Sequence, residues 1–294
     1  MGLCHFGSLI KFIPYTITTG FTSGIAVTIV IGQLKDFFGV TYPNGLKPIE
    51  TIEKLNAFAL GFSSFHVDAL IVGGVSLAIL IISPYIFKRI PGSLIAVVIG
   101  ILMVKFLPLH VSTIGNLYTI TNDLPSFHIP AVKFSIVKSA IPNAFTIAVL
   151  AAIESLLSCV VADGMINGKH RSDTELVAQG LGNIASALFG GIPATGAIAR
   201  TAANIKNGGR TPVAGMVHSI TLVIVLVVLM PFAGMIPMPT IAAILFVVAY
   251  NMCQWRTFVH MLKTAPKSDI IVLIVTFISV SYTHLRAHET SLHL

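Results

Sequence analysis

Charged residues are scarce in this sequence. Asp, Glu, Lys and Arg make up only 10% of its 294 residues, whereas hydrophobic residues make up 55%. A soluble globular domain is about one-quarter charged, so the composition excludes that class and indicates a membrane protein with several spans. The net charge of +7 comes from basic residues scattered singly between apolar runs. That distribution is typical of cytoplasmic loops and does not indicate a nucleic-acid partner.

Cysteine and catalytic motifs are scarce as well. Cys4, Cys159 and Cys253 lie in or beside apolar segments and show no CxxC spacing. Neither a disulfide framework nor a zinc site is predicted, and we expect no metal and no cofactor. The sequence has no HExxH motif, no GxSxG motif and no carboxylates paired at a workable spacing. An enzyme is therefore the least favoured class of function.

Long apolar runs recur along the whole chain. We predict spanning helices at Pro14–Phe38, Leu70–Phe87, Ser93–Leu107, Ala144–Ala162, Leu176–Phe189, Val213–Pro231 and Thr240–Met252, with another beginning at Ile270–Val280. The polar stretches Val40–Ser64 and Pro108–Lys138 are predicted to be connections. The pattern predicts an all-α, multi-pass membrane protein whose solvent is the lipid bilayer. We expect its location to be the plasma membrane.

One stretch, Gly190–Pro212, interrupts the apolar pattern with basic residues, glycines and prolines. Pro193 and Gly196 disfavour a helix before them, Ala197–Ile205 has good helix formers, and an Asn-Gly-Gly step ends the helix. Such a helix is too short to cross a bilayer, which takes about 20 residues. If it starts at mid-membrane, its free N–H groups and positive dipole end suit a small anion. The alternative is an ordinary cytoplasmic loop.

The distribution of basic residues separates these two alternatives. If Lys11 is cytoplasmic and the short helix turns back at mid-membrane, every later basic cluster also lies on the cytoplasmic side. These clusters are Lys88 and Arg89, Lys169 and Arg171, Lys206 and Arg210, and Arg256, Lys263 and Lys267. A full crossing would place the last cluster outside. The positive-inside rule therefore favours the half-helix.

Glu154 is a single carboxylate within an apolar span. An ionisable group there is costly and usually faces a cavity, a partner or a proton path, and it can bind and release a proton near neutral pH. Ser158 lies on the same helix face, four residues later. Alternatively, Glu154 pairs with Arg200 and locks two helices together. Arg200 can equally neutralise a bound anion.

Three segments resemble the SulP family of anion permeases. They are FIPYTITTGFTSGIAVTIVIGQLKDFFG at Phe12–Gly39, IESLLSCVVADGM at Ile153–Met165, and the long segment Glu175–His218. The resemblance implies part of a seven-plus-seven inverted-repeat fold, with a core domain, a gate domain and a half-helix in each repeat. On that pattern, residues 1–280 run from near the end of the fourth helix to the start of the thirteenth. The last helix and the usual cytoplasmic STAS domain are then not included.

The resemblance also implies site residues and partners. The substrate-binding positions at the half-helix are Gly196, Ala197, Ile198, Ala199 and Arg200, and the coupling-ion positions are Glu154 and Ser158. Some family members have Asp where this chain has Glu154 and use sodium, whereas others with Glu are thought to use protons. A homodimer is expected for the full-length protein.

The resemblance implies a secondary active transporter for a small anion. Sulfate with proton coupling is favoured, and bicarbonate, chloride or a dicarboxylate are alternatives. An exchanger, a channel or a motor-like protein on the same fold is a rival function. A nucleobase permease of the same architecture is another. It would be expected to place carboxamides or carboxylates at the half-helix, where this chain has Ala197 and Ala199.

The apolar pattern stops at Ser281, within the last predicted span. Residues 281–294, SYTHLRAHETSLHL, resemble translated sequencing-adapter sequence. We interpret them as a non-native tail and residues 1–280 as part of a sulfate-permease-type transmembrane domain.

Overall fold

A computed structural model describes residues 1–7, 15–43, 46, 48, 50–87, 90–118, 124–129 and 133–283. Secondary structure in these residues is helical, apart from one isolated β-bridge between Thr113 and Pro237. The α-helices are α1 (Tyr15–Phe38), α2 (Thr51–Gly61), α3 (Val67–Ile86), α4 (Gly92–Phe106), α5 (Ile114–Leu117), α6 (Phe134–Ile166), α7 (Ser172–Leu188), α8 (Ile198–Lys206), α9 (Pro212–Ile224), α10 (Met230–Ala233), α11 (Met238–Cys253), α12 (Trp255–Thr264) and α13 (Lys267–Thr283). A π-helical turn at Val225–Leu229 connects α9 to α10.

Several of these helices confirm the multi-pass prediction. In the described part of the chain, five helical segments are long and apolar enough to cross a membrane: Tyr15–Phe38, Val67–Ile86, Phe134–Ile166, Pro212–Leu229 and Met238–Thr264. Each of the other predicted spans also contains a helix: α4, α7 and α13. Residues 284–294 of the predicted tail lie outside the described residues, and α13 includes Ser281.

The predicted connection Val40–Ser64 was wrong in one part, because it contains α2. Glu50 and Glu53 form a capping box at the start of this helix: the Glu50 side chain accepts from the backbone N–H of Glu53, and the Glu53 side chain accepts from the backbone N–H of Glu50. That arrangement satisfies N–H groups that have no partner within the helix. A helix of 11 residues can therefore form in a stretch whose Pro and Gly residues suggest a loop.

Helix α6 begins ten residues earlier than the predicted start at Ala144. Pro142 lies inside it, although proline removes one helical hydrogen bond. The carbonyl that loses its helical donor is that of Lys138, four residues before the proline. The Thr146 hydroxyl donates to the carbonyl of Pro142 itself at 3.0 Å. The resulting helix has 33 residues, about 50 Å at 1.5 Å per residue.

The structure divides into two compact units. One comprises the described residues of Tyr15–Asn122 and Leu229–Leu294. Its core cluster is Phe37, Leu80, Ala96, Ala242 and Ala243, contributed by α1, α3, α4 and α11. The buried Ser76 and Thr240 hydroxyls hydrogen-bond at 2.9 Å between α3 and α11.

Small residues bring α1 close to α13, as expected for helix contacts in lipid. A Cβ added at Gly20 would lie 2.7 Å from the Leu273 carbonyl oxygen, and one at Gly24 would lie 3.0 Å from the Phe277 carbonyl oxygen. Both positions therefore depend on glycine. At these two positions the absence of a side chain lets the backbones of α1 and α13 approach each other.

The second unit comprises the described residues of Met1–Pro14 and Asp123–Val228. Within it, α6 packs against α7 and α8. Leu156 and Leu176 are the buried apolar contact between α6 and α7. This unit contains all of the predicted site residues.

Candidate functional site

Helix α8 is the predicted half-helix, displaced by one residue. It has nine residues, about 14 Å at 1.5 Å per residue, so it is too short to cross a bilayer. Ala197 is its N-cap and provides no side-chain hydrogen bond. The first helical bond is donated by the Thr201 N–H to the Ala197 carbonyl at 2.9 Å. The N–H groups of Ile198, Ala199 and Arg200 therefore have no intrahelical acceptor.

A chain of hydroxyl hydrogen bonds fixes the loop before α8 to α6. The Gly196 N–H donates to the Ser155 Oγ at 3.0 Å, and Ser155 Oγ lies 2.9 Å from Thr195 Oγ1. Thr195 in turn donates to the Ala151 carbonyl at 2.9 Å. Ser155 is only 1% exposed, so these bonds satisfy a hydroxyl that would otherwise be buried without a partner.

Ser158 connects α6 to the first turn of α8. Its buried Oγ donates to the Thr201 Oγ1 at 2.8 Å. The two serines lie three positions apart on one face of α6, and each binds a different part of the segment 195–201. The predicted coupling-ion position Ser158 is thus in direct contact with the helix that contains three of the five predicted substrate positions, Ile198, Ala199 and Arg200.

Glu154 and Arg200 do not form the ion pair that the sequence left open. The ion pairs of the described residues are His5–Asp173, Asp68–His110 and Asp163–His170. Glu154 is partly exposed on α6, and Arg200 is exposed on the first turn of α8. Within the described residues, neither charge is used in an ion pair.

Two carboxamides on α7, which the sequence analysis did not single out, also hold this loop. Asn183 Oδ1 accepts from the Ala194 N–H at 2.7 Å, and Asn183 Nδ2 donates to the Ala194 carbonyl at 3.0 Å. Gln179, one helical turn earlier, donates its Nε2 to the same carbonyl. The sequence signal that could have identified them is the spacing of two carboxamides, four residues apart within a predicted span, because polar side chains need a partner there.

The turn between α6 and α7 is closed by three polar side chains. Asp163 Oδ2 accepts from the His170 backbone N–H at 2.9 Å and lies 2.7 Å from His170 Nδ1. Ser172 Oγ lies 3.0 Å from His170 Nε2. Asp163 is thus a carboxylate at the end of α6 that closes the turn to α7. These bonds hold the start of α7, and with it Gln179 and Asn183, beside α6.

Together, the fold and these residues define a multi-pass α-helical membrane protein with an uncapped helix too short to span. The chain belongs to the sulfate permease family, whose model matches residues 1–276. It is 40% identical over 282 residues to "Putative sulfate transporter YvdB" of Bacillus subtilis, covering 94% of this chain and 52% of that protein. It is 33% identical to "Bicarbonate transporter BicA" of Picosynechococcus, covering 95% and 49%. The chain spans about half the length of these relatives.

Solved structures give the same fold. The transmembrane domain of a cyanobacterium bicarbonate transporter BicA matches with a TM-score of 0.82 and 30% identity, over 97% of this chain and 71% of that one. The murine anion transporter Slc26a9 in the inward-facing state matches with a TM-score of 0.82 over 99% and 48%, and at 22% identity it supports the fold alone. The chain therefore has part of the inverted-repeat fold that the resemblance implied.

Proposed function

We propose that this chain provides the α8 half of the anion site in a secondary active transporter. The observation that supports this most directly is the uncapped start of α8, where three successive N–H groups have no intrahelical acceptor. A helix N-terminus has a positive partial charge and suits a small anion. Membership of a family of anion permeases agrees with this chemistry.

Within this proposal, the predicted substrate residues divide into two groups. Gly196 positions the loop, because its N–H is already bonded to Ser155. The N–H groups of Ile198, Ala199 and Arg200 bind the anion, and the guanidinium of Arg200 neutralises it. Ala197 contributes a small side chain, so an anion can approach the backbone.

Sulfate is the substrate we favour. The relative at 40% identity is named for sulfate, and the one at 33% for bicarbonate. Bicarbonate, chloride and dicarboxylates remain the alternatives. A nucleobase is less well supported as the substrate. The carboxamides of Gln179 and Asn183 already donate to the Ala194 carbonyl, and the start of α8 has only alanine and isoleucine beside Arg200.

We further propose that Glu154 binds the coupling proton. Its neighbour Ser155 contacts the loop before α8, and Ser158, on the next turn of α6, contacts α8 itself. Adding or removing a charge at Glu154 would therefore act on the element that holds the anion site. Sodium bound by Glu154 and Ser158 is the alternative. A homodimer is the proposed assembly of the full-length transporter.

The test measures uptake of labelled sulfate into proteoliposomes that contain the transporter expressed from its full-length gene. Ala199→Phe is expected to lower uptake at least tenfold, because the larger side chain fills the space in front of the N–H groups. Ala203→Phe, the same change on an exposed position of α8, is the matched control and should retain uptake. Equal activity of the two variants would contradict the proposed site. Accumulation against a sulfate gradient would exclude a channel.

A further inference from the structure

Helix α12 has a basic face that the anion site does not use. Arg256, His260 and Lys263 follow one another at positions i, i+4 and i+7, so they lie on one face of the helix. All three side chains are exposed. Within the described residues, none of them forms an ion pair with a carboxylate. Lys267, at the start of α13, adds a fourth exposed basic residue close by along the chain.

The opposite face of α12 is apolar and packs inward. Phe258 lies against Phe277 of α13, with ring centroids 5.3 Å apart. Phe258, Val259, Met261 and Leu262 are each partly buried. The helix is therefore held to its unit by one face and presents its charges on the other. The carboxylate nearest along the chain, Asp269, accepts from its neighbour Ser268 at 3.3 Å.

A sharp break within the candidate span Met238–Thr264 separates α11 from α12. Gln254 has φ 42° and ψ 39°, the left-handed conformation, which non-glycine residues rarely adopt. Its side-chain oxygen accepts from the Tyr15 hydroxyl at 3.1 Å. The α-helix α11 ends here after 16 residues, and α12 has ten, about 15 Å at 1.5 Å per residue. A helix of that length with two distinct faces suits the membrane surface.

We propose that α12 lies at the membrane–water boundary and that its basic face binds anionic phospholipid headgroups. The arrangement of apolar side chains on one face and Lys or Arg on the other is that of an interfacial helix. Anionic lipids are concentrated in the cytoplasmic leaflet, where the positive-inside rule places Arg256 and Lys263. Trp255, 59% exposed at the start of α12, is an aromatic residue of the kind enriched at this boundary.

Trp255 also provides the measurement, because it is the only tryptophan in the 294 residues. The chain is reconstituted into phosphatidylcholine vesicles in which a fixed fraction of the lipid is brominated phosphatidylglycerol or, in parallel, brominated phosphatidylcholine. Bromine quenches tryptophan on contact, so the ratio of quenching reports which headgroup gathers at α12. We expect the anionic lipid to quench about threefold more at low salt. The ratio should fall towards one at about 1 M salt, where the screening length is about 3 Å.

Two variants with equal changes in charge complete the test. The double substitution Arg256→Gln and Lys263→Gln should remove the preference for the anionic lipid. The control is the double substitution Lys133→Gln and Lys138→Gln at the start of α6, which should keep the preference. Quenching by brominated phosphatidylcholine should be the same in all three proteins, which shows that α12 stays at the bilayer. If a variant misfolds, the salt series on the unchanged chain still decides the proposal.

Three results would overturn the proposal. They are equal quenching by the two brominated lipids at low salt, a preference that survives the α12 substitutions, and loss of the preference in glycerol phosphate at an ionic strength where sodium chloride leaves it intact. The last would assign the basic face to a soluble anion and not to a lipid surface.

Discussion

The Asn183 carboxamide forms two hydrogen bonds with the backbone of Ala194, accepting from its N–H at 2.7 Å and donating to its carbonyl at 3.0 Å. Ala194 lies two residues before Gly196, where α6 makes its own bond to the same loop. Helices α6 and α7 therefore hold the entry to α8 between them. The start of α8 is positioned by side chains that do not belong to α8.

Asn183→Leu is expected to impair anion binding more than folding. The substitution leaves the N–H and carbonyl of Ala194 without two of their partners, so the loop loosens and the N–H groups of α8 lose their common direction. In the full-length transporter we expect KM for sulfate to rise about tenfold, a loss of about 1.4 kcal/mol of binding. Labelled uptake over a range of sulfate concentrations measures it.

Asn207→Leu is the matched control for this substitution. Asn207 Nδ2 also donates to a backbone carbonyl, that of Ala203 at 2.8 Å, but at the far end of α8. The Asn207→Leu variant should have a KM for sulfate close to that of the unsubstituted transporter. An equal rise of KM in both variants would mean that any lost carboxamide contact weakens the transporter, and Asn183 would then have no special role in positioning.

Glu154→Gln is expected to remove the dependence of uptake on the coupling ion while the protein still folds. The amide keeps the size of the side chain but cannot bind and release a proton. Uptake by proteoliposomes with and without an imposed pH gradient measures the dependence, and a sodium gradient tests the alternative ion. Glu175→Gln, in the first turn of α7, removes a carboxylate elsewhere and should keep the coupling. Coupling that persists in Glu154→Gln would show that the carboxylate is not the proton site.

The N-terminal segment 1–7 is attached to α7 through Asp173. His5 Nδ1 lies 3.0 Å from Asp173 Oδ2, and the Gly7 N–H donates to Asp173 Oδ1 at 2.9 Å. The hydrogen bond from His5 is the main cause that lowers the pKa of Asp173 below its usual range, and it outweighs the opposing effect of desolvation; the Gly7 N–H lowers the pKa further. A carboxylate with a lowered pKa stabilises the attachment at pH values above its unfolded pKa of about 3.9.

The attachment should therefore hold at neutral pH and weaken as the pH falls through the folded pKa of Asp173. Hydrogen-exchange protection of residues 1–7, corrected for the intrinsic rate at each pH, measures it. Asp173→Asn should remove the pH dependence between neutral and acid conditions. An unchanged acid transition in that variant would assign the transition to another group.

The parts of the site that could be predicted from sequence are those with local signals. The Pro193 and Gly196 breakers and the Asn-Gly-Gly stop delimit α8 to within one residue, because they act on the backbone at their own positions. Gln179 and Asn183 were missed because their partner, Ala194, is 11 or more residues away and has no recognisable side chain. Helix α12 was missed because a glutamine in the left-handed conformation gives no sequence signal for a break.

Ser155→Ala is expected to disturb the site more than Ser158→Ala, although both remove one buried hydroxyl from α6. Ser155 is bonded to the Gly196 N–H and to Thr195, so its loss leaves a backbone donor of the loop without a partner. Within the part of the chain that the structure describes, the one side-chain hydrogen bond of Ser158 goes to the Thr201 hydroxyl, and the backbone bonds of the helix that contains Thr201 remain in the variant. An unpaired buried donor costs about 1–3 kcal/mol, so sulfate affinity measured by calorimetry should fall at least fivefold in Ser155→Ala.

Ser158→Ala should bind sulfate with nearly unchanged affinity, and under the sodium alternative it should lose sodium dependence instead. Equal loss of sulfate affinity in the two variants would show that the loop before α8 is not held by Ser155, and the division of roles between Gly196 and the N–H groups of Ile198, Ala199 and Arg200 would be wrong.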